Sequence, residues 1–368
     1  MTKPLQRLGL VQNFALLLGI PAPAGAHDRA TERRAASATT FSHAAALFAV
    51  FVLFFSTTLG FAATVTTAGN GNWNSTTVNA PWPGGTVPAT TDNVIIRAGD
   101  SVTVTANATI NSITFNNASA IAATLTVNTG VILTVTAGVT LQNSATLNTS
   151  ATIAGAGTLN CASVTTGGNT LPTAGTTTST LTSTISSLAM SASLTVRAQK
   201  NGVPINQATF AFASGAVSVG GSAVLNADSG AVATLTLATG AATGTLTLPG
   251  ATPFSTPGAG TATFTANGTG ATVVYSGAAQ TVKFVTYKHL TLSGSGVKTL
   301  TSIATISGNL TLSGTATATT AIALAISGNL DVGAGTTFTV AGFNITVTGT
   351  TSVTGTLTHS SLTGTKTY

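Results

Sequence analysis

Charged side chains are scarce here: Asp, Glu, Lys and Arg make up 5% of the 368 residues, where a globular protein ordinarily has about 25%. Beyond residue 62 there is no glutamate, and the only acids are Asp92, Asp100, Asp228 and Asp331. That shortage weighs against acid–base catalysis, which needs positioned and tuned proton carriers. A glycoside hydrolase needs two carboxylates about 5 to 9.5 Å apart. Only Asp92 and Asp100 lie close enough in sequence to meet across one turn, and both occupy Gly/Asn-rich corners that aspartate favours for local reasons. No catalytic residue is therefore assigned, and the chain reads as a non-enzyme. Beyond residue 62 seven bases (Arg97, Arg197, Lys200, Lys283, Lys288, Lys298, Lys366) stand against the four acids, a balance of +3. They form no cluster and no aromatics interleave them, which argues against a nucleic-acid partner.

Cysteine is nearly absent too. Cys161 stands alone, so no intrachain disulfide can staple the fold, and with no histidine nearby in sequence it reads as a buried spectator thiol. His289 and His359 are isolated, which leaves no metal-ligand spacing and no cofactor. Thr, Ser, Ala and Gly fill the positions that charges usually take, a composition suited to β-branched strands with small corners and poor for surface helices.

What is present is a repeat. Leu290-Thr-Leu-Ser-Gly294 returns as Leu310-Thr-Leu-Ser-Gly314 and more loosely as Leu330-Asp-Val-Gly-Ala334, while Ile306-Ser-Gly-Asn309 returns as Ile326-Ser-Gly-Asn329. Both series step by 20 residues. Within each unit apolar and small polar residues alternate, the two-residue period of a strand with one buried face. Gly and Asn punctuate every few residues, where corners would fall. Short strands and corners at this period predict a parallel β-solenoid with coils of about 20 residues; the LxxLxLxxN pattern of a leucine-rich repeat is missing.

In chain order, residues 1–62 read as an export leader: Arg29, Arg33 and Arg34, an apolar run from Ala44 to Phe55, then small residues at Gly60-Phe-Ala62. An uncleaved anchor over Ala44 to Ala63 is the alternative, and the only route by which the chain would meet a membrane. Export in either form places the remainder outside the cytoplasm. Next come Asn70-Gly-Asn-Trp73-Asn and Pro81-Trp-Pro-Gly-Gly85, running into Asp92-Asn-Val-Ile-Ile-Arg97-Ala-Gly-Asp100. This opening resembles that of large secreted bacterial surface proteins built on right-handed β-helices. Trp73 and Trp82 are the candidate ligand-binding residues, since indole faces complement sugar rings; the competing reading makes them a cap over the first coil. Val102 to Gly168 alternates persistently, and Asn residues recur near its corners (Asn107, Asn111, Asn128, Asn148) as expected of stacked ladders.

Residues 169–183 are a Thr/Ser/Gly run that reads as a linker. Beyond it, Leu194-Thr-Val, an Asn201-Gly202 turn, Pro204 and Ile205-Asn-Gln-Ala-Thr-Phe210 suggest a hairpin opening a β-sandwich. With Asn226-Ala-Asp-Ser-Gly-Ala-Val-Ala-Thr-Leu-Thr-Leu237, this stretch resembles the bacterial Ig-like domains of invasin- and intimin-type adhesins, which implies a spacer with no catalytic residues. From Ala271 the coils return and run to Tyr368 without a distinct cap, so that a bare coil edge invites pairing.

The expected organisation is thus all-β: leader 1–62, cap and solenoid 63–175, Ig-like sandwich 176–268, second solenoid 269–368. The expected function is that of an exported structural or adhesive cell-surface protein, or part of a larger adhesin. Its partners would be surface glycans, neighbouring cell surfaces, or its own coil ends. A polysaccharide-binding or polysaccharide-degrading β-helix is the alternative. A third reading comes from Thr-X-Thr steps such as Thr124/Thr126 and Thr134/Thr136, because flat threonine ladders can match an ice lattice. In sequence these steps follow no uniform register, and strand propensity alone favours outward threonine.

Overall fold

Alternation of apolar and small polar residues instructs this chain to form half-buried strands, and it does so throughout. The computed structural model describes residues 62–368 apart from 117, 238–242, 304 and 361–362. Among them the one helical piece is a 3-10 turn at Pro83–Gly85. Nearly all of the expected leader falls outside the described residues, and no described helix is long and apolar enough to cross a membrane. Along Ile205–Phe212 every second side chain (Asn206, Ala208, Phe210, Phe212) is buried while its neighbours face outward.

Each turn of chain lays strands on three faces, and each strand pairs in parallel with its counterparts in the adjacent turns. One inward column on the first face runs Leu133, Leu159, Leu188, Val217, Leu246, Val273, Leu290, Leu310, Leu330 without a gap. All nine side chains are buried, each contributing roughly 1.5–3 kcal/mol when fully withdrawn from water. Val164, Leu194, Ala223 and Phe254 stack on the second face. Ala151, Leu181, Phe210, Leu235 and Phe264 stack on the third.

These ladders cross both boundaries of the expected sandwich, so residues 176–268 are coils of the same solenoid and not an Ig-like insertion. The Asn201-Gly202 turn is real: Asn201 N donates to Pro204 O at 2.9 Å and Gly202 has φ +64°. Yet the reversal is antiparallel over only two residue pairs, Gln199↔Asn206 and Lys200↔Ile205. Beyond them the two strands part to different faces and take parallel partners. The expected linker is corrected as well. Thr176–Ser183 is an eight-residue strand whose Thr177, Ser179, Leu181 and Ser183 point inward. Part of its polar interior is bonded, since Asn206 Nδ2 donates to Thr177 Oγ1 at 2.9 Å and to Ser179 Oγ at 3.2 Å.

Coil length also departs from a uniform 20. Ser112 bonds Asn93 across 19 residues, Ile132 bonds Asn107 across 25, and Thr178 bonds Asn148 across 30. Only from Leu290 onward does the step stay within 19 to 21, as when Asn329 N donates to Asn309 Oδ1 across 20 residues. Tight corners allow this stacking. At Gly215 (φ +87°) an added Cβ would lie 2.2 Å from Ile185 O, the carbonyl of the previous coil, so only glycine fits.

Candidate functional site

The structure places both candidate tryptophans inside. Trp73 and Trp82 are 2% and 0% exposed, meet edge to face with ring centroids 5.1 Å apart, and are joined by Trp82 Nε1 donating to Trp73 O at 2.5 Å. Pro81 O accepts from Ala68 N at 2.7 Å, holding this loop against the first strand. Neither indole presents a face to a sugar.

Asp92 and Asp100 are likewise committed to local structure. Asp92 accepts the backbone N–H groups of Ala63 and Ala89, each at 2.8 Å. Asp100 Oδ2 accepts from Thr67 Oγ1 at 2.5 Å and from Arg97 Nε at 2.9 Å. Cys161 lines a shallow recess of about 380 Å³ with Asn160 and Met190. Burial pushes its thiol up to about 12, so it stays protonated and unreactive near neutrality. His289 Nδ1 accepts from Asn309 N at 3.1 Å, and burial followed by the charge of Lys288 draws its pKa down. His359 lies in a later coil beside Tyr368. Among the described residues no three His, Cys, Asp or Glu side chains converge.

Lys298 is the side chain that sequence reasoning missed. Although 0% exposed, it has no carboxylate partner; its Nζ donates to Gly277 O (2.5 Å), Ala278 O (2.6 Å), Gln280 Oε1 (3.0 Å) and Ser295 O (3.2 Å). Gln280 Nε2 in turn donates to Leu248 O and Gly250 O, both at 2.7 Å. Desolvation lowers the Lys298 pKa, while the four oxygens favour its charged form. Beside this cage Tyr275 and Tyr287 lie buried with hydroxyls 2.9 Å apart. Strand alternation was the only available signal: Lys298 occupies an inward position between Val297 and Thr299.

The outer surface holds a more extensive pattern. On the third face two outward columns stand in register through five coils: Ser150, Thr180, Thr209, Thr234, Thr263 and Thr152, Thr182, Ala211, Thr236, Thr265. A second array occupies another sheet in the short coils, with Val297/Thr299, Thr317/Thr319, Thr337/Thr339 and Thr356/Thr358 in register. The uneven spacing of Thr-X-Thr steps in sequence thus becomes uniform in space, because coils of unequal length still deliver their strands to the same rung. Other faces differ. One of the two outward first-face columns includes Asn160, Ala189, Val274 and Asp331, and Arg197, on the second face, pairs with Asp228 at 2.7 Å. No protein family, curated protein or solved structure matches this chain.

Proposed function

We propose that this chain is an exported structural or adhesive protein of the bacterial cell surface, acting as a rigid solenoid or as a section of a larger surface fibre. The observation that carries this reading is the continuous parallel stack, whose inward column runs from Leu133 to Leu330 across every coil between. Such a stack is stiff, extended and stable without disulfides. Its outer faces and strand edges are then the surfaces that meet glycans or neighbouring cells. Among the described residues Thr351–Val353, Thr356–His359 and Lys366–Thr367 each have a ladder partner on one side only. Another strand, from a further coil or a second copy, is the natural occupant.

Protease treatment of intact producing cells tests the location. Removal of the chain without lysis is the expected result, and protection inside the cell overturns export. Light scattering of the purified chain over a wide concentration range tests the edge. Growth into long polymers supports end-to-end pairing; a monomer at every concentration overturns pairing between copies.

A further inference from the structure

We propose that the paired threonine columns of the third face form an ice-binding surface. Each threonine offers one hydroxyl, which bonds water, and one methyl, which borders it. In a parallel sheet the paired positions repeat about 6.6 Å along each strand and about 4.8 Å between strands, a two-dimensional grid on the scale of the oxygen repeats in ice.

Three further properties suit the face to a crystalline ligand. It is rigid, since every internal strand is laddered on both sides and the intervening Leu181, Phe210, Leu235 and Phe264 are buried. Threonine is β-branched and stiff at χ1, so docking immobilises little that was free. The two columns hold no charge and no bulky group that would disturb a lattice.

Strand propensity alone would favour threonine on every outward face. In the same coils the two outward first-face columns, Asn160, Ala189, Ser218, Thr247, Val274 and Thr158, Ser187, Ala216, Thr245, Thr272, hold threonine at four of ten positions against eight of ten on the third face, which argues against that explanation. A crystalline polysaccharide is the other flat repeating surface to weigh. Recognising sugar rings calls for exposed aromatic bodies, and the exposed Phe284, Phe343 and Tyr368 all lie off these columns.

The test is partition of the full chain into slowly grown ice, together with thermal hysteresis. The wild-type chain is expected to enter the ice and to show hysteresis. Thr234→Tyr, at the middle of the array, should lose both, while Thr247→Tyr on the first face should keep both. Circular dichroism of each variant separates loss of binding from loss of fold; if Thr234→Tyr unfolds, Thr209→Val takes its place and is expected to weaken entry into ice. Exclusion of the wild-type chain from ice overturns the proposal, as does retention on crystalline cellulose or chitin without entry into ice. Equal losses at Thr234 and Thr247 overturn it too. Loss at Thr337→Tyr with none at Thr234→Tyr overturns the assignment to the third face.

Discussion

The coils between residues 149 and 275 and those between 289 and 367 solve one packing problem with different amounts of chain. The long coils use third-face strands of five to eight residues, such as Thr176–Ser183 and Ile205–Phe212. The short coils use two or three, as in Thr305–Ile306 and Leu324–Ile326. Wider strands enclose a wider interior, filled in the long coils by Phe210, Phe212 and Met190 and by the bonded Thr177, Ser179 and Asn206. In the short coils aliphatic side chains such as Leu310, Ile326 and Val332 fill the interior together with Phe338. A wide stack cannot sit on a narrow one without leaving uncovered backbone. At the junction Tyr275 and Tyr287 bond each other through their hydroxyls, while Gln280 donates to the carbonyls of Leu248 and Gly250 and Lys298 to those of Gly277, Ala278 and Ser295. The lesson is that the change of period is accommodated by large polar side chains with several bonding groups, while the regular regions rest mainly on apolar columns, supplemented in the long coils by the bonded Thr177, Ser179 and Asn206.

The strongest way to break this comparison is a buried charge within one region. Leu310→Asp should cost about 4 kcal/mol or more, since it places an unpaired carboxylate between coils, whereas outward Thr311→Asn should cost less than about 0.5 kcal/mol. Chemical unfolding measures both. Because each coil contacts only its neighbours, hydrogen exchange should report the damage in 289–367 before 149–265. Equal damage in both regions would mean that the junction transmits strain and that the two behave as one block.

A smaller effect, about 2–3 kcal/mol for Tyr275, whose hydroxyl is raised from about 10 to about 12, is expected at the junction in alkali. Burial pushes the Tyr275 hydroxyl up to about 12 and the Tyr287 hydroxyl well above its ordinary value. Both pKa values are raised on folding, so their contribution is intact below pH about 10. It is lost as pH climbs from about 10 toward 12 and beyond, where the unfolded chain releases protons that the folded chain keeps. Lys298, lowered on folding, changes stability in the opposite sense, but only below its unfolded value of about 10.4. Melting curves taken over this range should therefore fall, and the double variant Tyr275→Phe, Tyr287→Phe should flatten them. An unchanged slope would remove the tyrosines from the account of the junction.

The smallest effect separates surface charge from core packing. Asp228 accepts from Lys200 N at 3.0 Å and pairs with Arg197 in the long coils, yet it is partly exposed. Asp228→Asn should cost less than about 1 kcal/mol, and added salt should shrink the difference. A larger loss would mean that the wide coils depend on their outer charges as well as their interiors.

Much of the local structure was legible beforehand. Alternation marked Leu310 and Leu330 as inward and Thr311 as outward, the Leu-Thr-Leu-Ser-Gly repeat gave the 20-residue step, and Gly314 (φ +68°) stands at a corner. These are properties of a few consecutive residues: side chains alternate along any strand, and a positive φ calls for glycine wherever it occurs. Strand partners were not legible. Leu194–Lys200, Asn201-Gly202 and Ile205–Phe212 read equally well as a sandwich hairpin or as two sides of a coil, because the two-residue period is the same in parallel and antiparallel sheets. Choosing between them requires knowing that Phe210 meets Leu181 and Leu235, each more than twenty residues away. The same long-range closure buried Trp73 and Trp82, caged Lys298 in carbonyls, and aligned threonines spaced unevenly in the chain. Sequence by itself determined which way each side chain faces, a matter of backbone geometry over two residues. Only the tertiary structure decided which side chains became neighbours, because that depends on where whole coils close.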